Sequence, residues 1–81
     1  MSPDRDKYGR VIPINCYGNE HLVKKGSIVI GNMNDFALTE GRLYVVQNAD
    51  MFIEVINDEN VIEQYSFEYF DLYQGQKVKD Y

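Results

Sequence analysis

Between Leu22 and Tyr73 every apolar run is strand-sized, and most are closed within a few residues by glycine, asparagine or aspartate. Apolar stretches of four to seven residues bounded by such turn formers predict strands rather than helices. Leu22–Gly31 (LVKKGSIVIG) is read as a strand entered through a Lys-Gly turn, and Asn32-Met33-Asn34-Asp35 as a loop. Asn and Asp side chains there hydrogen-bond to their own backbone. Thr39-Glu40-Gly41 is a second turn, and the β-formers of Leu43–Gln47 make the next strand. Asn48-Ala49-Asp50 connects it tightly to Met51–Ile56. There Met51, Ile53 and Val55 share one face, while Phe52, Glu54 and Ile56 share the other. Apolar residues on both faces predict a strongly bent strand in a small barrel. Asn57-Asp58-Glu59-Asn60 is a hairpin turn from which Val61–Gln64 returns. Ser66 is expected to cap one helical turn through Phe70, and Asp71-Leu72-Tyr73 closes the fold as a last short strand.

Five short strands with a one-turn helix before the last predict an all-β chain, specifically a small SH3-like five-stranded barrel. Particular motifs point the same way. The runs KKGSIVI, LTEGRLYVV and FIEVINDENVIEQYSFEYFDL resemble the small SH3-like barrel proteins of bacteriophage and related bacterial genomes. Those proteins combine a glycine turn, a Y-x-V strand, a V-x-N-D-x-G hairpin, and a tyrosine followed four or five residues later by an aromatic. Tyr44 and Val46 match the second element, Val55, Asn57 and Asp58 the hairpin, and Tyr65 and Phe70 the last. Asn60 stands where the hairpin pattern has glycine, and asparagine tolerates the left-handed conformation required. The resemblance spans about residues 22–73 and implies the fold; it says almost nothing of function. Residues 1–21 are an N-terminal extension, with 1–10 a flexible arm and Val11-Ile12-Pro13-Ile14 a candidate edge strand, since proline is tolerated at an edge. Residues 74–81 are read as a tail.

Eighty-one residues suit one domain. No apolar run approaches the ~18 residues of a membrane span, and MSPDRDKYGR shows no secretory signal. Cys16 is the only cysteine, so neither an internal disulfide nor a thiolate zinc site is expected, which suits a reducing cytoplasm. The bland reading of Cys16, a buried inert thiol, is preferred to a nucleophile. Charge is unevenly spread. Residues 1–27 carry a net +2, residues 28–73 a net −8 with Arg42 their only base, and the tail +1. An acidic folded core disfavours non-specific nucleic-acid or anionic-membrane binding.

The stretch 55–73 holds five of the chain's eleven aromatic residues, interleaved with acids and no base. Tyr65, Tyr69 and Tyr73 cannot all be buried in so small a core, and their hydroxyls need partners or water. With Glu54, Glu63, Glu68 and Asp71 they are expected to form an exposed protein-binding surface of aromatic and acidic character. The competing reading treats the tyrosines as solvent-facing strand formers. A polyproline groove of the eukaryotic SH3 type is rejected because tryptophan is absent. Scattered glycines, a lone histidine (His21) and no EF-hand spacing leave no case for an enzyme, a metal or a cofactor. The expectation is therefore a small acidic interaction module, phage-encoded and acting in the host cytoplasm. It would bind and modulate a host protein with a basic surface, and a nucleic-acid mimic is one form such a module takes. The alternative is a nucleic-acid-binding barrel using Arg5, Lys7, Arg10, Lys24 and Lys25, with Tyr8 and Tyr17 for stacking. Self-association through Val11–Ile14 is the third reading.

Overall fold

The computed structural model describes residues 13–75. Five antiparallel strands form one open sheet, β1 (Ile28–Gly31), β2 (Leu43–Ala49), β3 (Ile53–Ile56), β4 (Ile62–Tyr65) and β5 (Phe70–Leu72), in the order β4-β3-β2-β1-β5. Among the described residues helix is confined to two single 3-10 turns, Glu20–Leu22 and Phe67–Tyr69. The chain is thus mainly β, as its turn spacing predicts. No helix among the described residues is long and apolar enough to cross a membrane.

Alternation along the strands sets the core. Val29, Tyr44, Val46, Ile53 and Val55 point inward, while Ile28, Val45, Glu54 and Ile56 point outward. Phe67 and Phe70 close the interior, together with Leu38 from the β1–β2 loop and Val23 and Cys16 from the entering chain. Burying each such aliphatic or aromatic side chain contributes about 1.5–3 kcal/mol, so a dozen of them can stabilise a domain of this size.

Before β1, residues Ile14–Cys16 run beside β5. Leu72 N–H donates to Ile14 O (2.8 Å), Cys16 N–H donates to Phe70 O (2.9 Å), and Asn15 bridges to Asp71. Part of the expected edge segment therefore does join the sheet; Val11 and Ile12 lie outside the described residues, as does the arm 1–10.

Several sequence boundaries move. β4 and β5 each lie one residue from their expected places, at Ile62–Tyr65 and Phe70–Leu72, so Phe70 belongs to the last strand and the 3-10 turn stops at Tyr69. Leu22–Gly31 is not one strand, because Gly26 takes φ 91° and Ser27 N–H closes a turn onto Lys24 O (2.9 Å), so β1 begins at Ile28. Strand β2 continues to Ala49, with a bulge between Val46 and Asn48, and the connection falls instead on Asp50–Phe52. Met51 is consequently exposed instead of sharing the inner face of Ile53. Ser66 precedes the second 3-10 turn, but its side chain makes no cap; the backbone bond from Tyr69 N–H to Ser66 O closes it. The hairpin behaves as its sequence implies: Asn60 adopts φ 63° and Asn57 N–H bonds Val61 O (2.9 Å).

Gly31 lies where β1 passes under the turn at Thr39. A β-carbon there would stand 2.5 Å from Thr39 O and 3.1 Å from Tyr44 Cε2. Gly31→Ala is expected to lower unfolding stability by about 1–3 kcal/mol, as overpacking does in tight interiors. A midpoint in urea unchanged from the parent would refute this account of the turn.

Candidate interaction groove

The β1–β2 loop builds one wall of an open groove. Phe36 and Ala37 are consecutive non-glycine residues at φ 54° and 60°, a left-handed pair that costs about 1–3 kcal/mol per residue and persists only where its surroundings enforce it. Four bonds do so. Asp35 Oδ1 accepts Phe36 N–H (2.8 Å), Asp35 O accepts Leu38 N–H (2.9 Å), Tyr65 Oη–H donates to Phe36 O (2.7 Å), and Asp58 N–H donates to Ala37 O (2.8 Å). With Leu38 buried as an anchor, the Phe36 ring turns outward. It is 56% exposed and lies stacked on Tyr69, with centroids 5.7 Å apart and planes 19° apart. Tyr69, on the 3-10 turn after β4, meets Tyr65 edge-on at 6.3 Å.

Asp58 ties this loop to the β3–β4 hairpin. Its carboxylate accepts bonds from Tyr44 Oη (2.7 Å), Thr39 Oγ1 (2.6 Å) and the Arg42 guanidinium, which also lies over the Tyr44 ring. Tyr44 Oη in turn accepts Thr39 N–H (2.8 Å). Burial pushes the Asp58 carboxyl up, but the three bonds and the Arg42 charge outweigh it and hold the group below the ordinary carboxylate range. Burial, reinforced by donation to Asp58, pushes the Tyr44 phenol up to about 12.

The groove encloses ≈ 580 Å³. Aromatic and apolar surface comes from Phe36, Ala37, Tyr65, Tyr69 and Phe52, the last 51% exposed on the β2–β3 turn. Polar lining comes from Asn57, Gln64 and Ser66, and among the described residues the only charged lining is Glu59 and Glu63. Such a site offers flat apolar area and negative charge together, which suits a cationic, partly apolar ligand.

Of the residues expected at the binding surface, Tyr65, Tyr69 and Glu63 converge on this groove. Tyr65 enters as its floor: only 8% exposed, it donates to Phe36 O and accepts Asn57 Nδ2–H (3.1 Å). Glu54 is not brought to the groove; it stands on the outer face of the sheet, where Gln64 Nε2–H donates to it (2.9 Å). Asp71 serves a structural knot in which Asn15 and Asn32 both donate to its Oδ1, at 3.0 and 3.2 Å, and to Glu68 O. Glu68 and Tyr73 are exposed but line no part of the groove. Phe36, Phe52 and Glu59 are members that sequence reading missed. The one signal for Phe36 was an aromatic set among loop formers, Asn32–Asp35, where nothing local asks for one.

Elsewhere, Cys16 is fully buried, and burial with nearby Asp71 and Glu20 pushes its thiol up to about 12, leaving little thiolate to react. No group of three or more His, Cys, Asp or Glu side chains able to hold a metal ion exists among the described residues. Tyr17 is well exposed, but the hollow it lines includes Glu20 and Asp50, an unfavourable setting for a phosphate backbone. Comparison with protein-family models, curated proteins and solved structures finds no match for this chain.

Proposed function

We propose that this chain is a small interaction module that binds a protein with a basic surface through the Phe36–Tyr69 groove. The observation that carries the reading is the groove itself. Two half-exposed phenylalanines and a stacked tyrosine surround a concavity whose charged lining residues, Glu59 and Glu63, are both acidic. A strained left-handed backbone at Phe36 and Ala37, with the Phe36 ring held half-exposed beside Tyr69, supports a binding role for that ring. Aromatic area supplies contact energy, and the −8 carried by residues 28–73 steers a basic partner toward it. We read the fold as an SH3-like barrel, because the strand order places β5 beside β1 and a 3-10 turn precedes β5. The resemblance to phage barrels supports a phage-encoded protein acting in the host cytoplasm, where the natural occupant of the partner's basic surface is a nucleic acid that this module displaces.

The test compares the parent with the Glu59→Lys/Glu63→Lys double variant, each immobilised and exposed to nuclease-treated bacterial lysate. The parent is expected to retain a basic protein at low salt and release it at moderate salt. The variant should retain that protein about tenfold more weakly or worse while keeping the parent's circular dichroism. Equal retention by both forms removes the groove from the binding surface.

A further inference from the structure

Strand β4 is one edge of the sheet, and among the described residues nothing pairs with its outer side. The register fixes which backbone groups it leaves open. Asn57 N–H bonds Val61 O, so 57–61 is a hydrogen-bonded pair, and by alternation so are Val55–Glu63 and Ile53–Tyr65. Ile62 and Gln64 therefore turn both N–H and C=O away from β3, toward the open edge.

Both sides of that edge have a chemical character. On the inner side Glu63, opposite Val55 in the register, lines the aromatic groove with Glu59. On the outer side runs a row of β-branched residues, one from each of four strands. Ile28 is paired with Val45, Val45 lies beside Ile56 in the register that joins Val46 to Val55, and Ile56 is paired with Ile62. These four are 44, 50, 41 and 57% exposed. The row ends at Ile62, at the open edge, so one more strand beside β4 would continue it.

We infer that β4 takes up an extended, basic segment of a partner protein as a sixth, antiparallel strand, with aliphatic side chains continuing the Ile28–Ile62 row and lysine or arginine side chains facing Glu63 and the groove. This rests on the groove reading above and specifies how the partner is held. Main-chain bonds to Ile62 and Gln64 supply affinity, and alternate side chains supply selectivity. Charge decides between occupants. Two β4 strands paired antiparallel about Glu63 would set two carboxylates directly opposite each other, which is destabilising in a sheet, and the net −8 of residues 28–73 adds to the repulsion. An inward charge on an edge strand guards against such self-pairing; here the same charge selects a cationic strand.

The probe is the acetylated, amidated peptide Lys-Val-Lys-Val-Lys-Val-Lys, titrated into the full ¹⁵N-labelled chain. At saturation the amides of Ile62 and Gln64 should exchange with solvent about tenfold more slowly or slower still. In antiparallel addition the valines sit opposite Ile62 and Gln64 and exchange bonds with them. N-methylation of the valines should thus weaken binding about tenfold or more, while N-methylation of the lysines leaves it within about threefold. Any other pattern overturns strand addition. Binding with Ile62 and Gln64 exchange unchanged also overturns it, and leaves the groove as a side-chain site. Absence of binding at about 1 mM peptide overturns it too, and the Glu59/Glu63 variant then judges the groove separately. If the free chain sediments as a dimer with those two amides already protected, a second copy holds the edge and the proposal falls.

Discussion

Asp58→Ala should lower unfolding stability by about 2–4 kcal/mol, close to the limit of what an 81-residue domain can lose. The side chain is the shared acceptor for Tyr44, Thr39 and Arg42. Removing it leaves the buried Tyr44 hydroxyl a donor with no acceptor and a partly buried guanidinium without its carboxylate. Asp58→Asn keeps the volume and one acceptor oxygen and is expected to cost about half as much. Denaturant unfolding of the three forms checks the order; equal midpoints for parent and alanine variant would show the knot to be ornamental. The pH dependence has a definite sign. A carboxyl held below its ordinary value contributes stability above about pH 4 that is lost as pH falls through the folded-state value. The acid limb of the parent should therefore be steeper than that of Asp58→Asn. The Tyr44 phenol acts at the other end: raised to about 12, it contributes stability below about pH 10 that is lost as pH climbs toward 12. Tyr44→Phe should flatten that alkaline limb.

Phe70→Ala is expected to cost about 3–5 kcal/mol and to leave the chain largely unfolded at room temperature. Its ring is fully buried and sits edge-on to both Tyr44 and Tyr65, each at 5.8 Å. Tyr65 and Tyr44 are the residues whose hydroxyls hold the Phe36 loop and Asp58, so the cavity lies beneath both supports of the groove. Phe70→Leu keeps most of the volume and should cost about 1–2 kcal/mol. A cooperative transition for Phe70→Ala at the parent midpoint would mean that the aromatic cluster is peripheral to the core.

Much of the strand layout is legible in the sequence because it is local. Alternation in Leu43–Gln47 and Ile53–Ile56 and the Asn57–Asn60 turn act within a few residues. What escapes is set by distant partners. Nothing near Tyr65 states that its hydroxyl will find Phe36 O, twenty-nine residues away, or that Asn32 and Asn15 will meet over Asp71. Burial of Tyr65 follows from that bond, whereas Tyr73, at 40%, stays exposed. The groove was half visible for the same reason: Tyr65, Glu63 and Tyr69 lie in one acidic, aromatic stretch, while Phe36 and Phe52 arrive from two loops that read as connections.

The placement of β5 also governs how the chain can fold while it is being made. β5 is bonded on one side to β1 and on the other to Ile14–Cys16, so the last of the five described strands depends on two segments synthesised long before it. Until Leu72 emerges, β1 has one unpaired side, Cys16 has no partner for its amide, and Phe70 is missing from the core. Each stage of synthesis short of that point exposes aliphatic surface without a finished interior. A nascent chain stalled before residue 70 lacks both its closing strand and the Phe70 ring, and is expected to be a client for a chaperone rather than a partly working product.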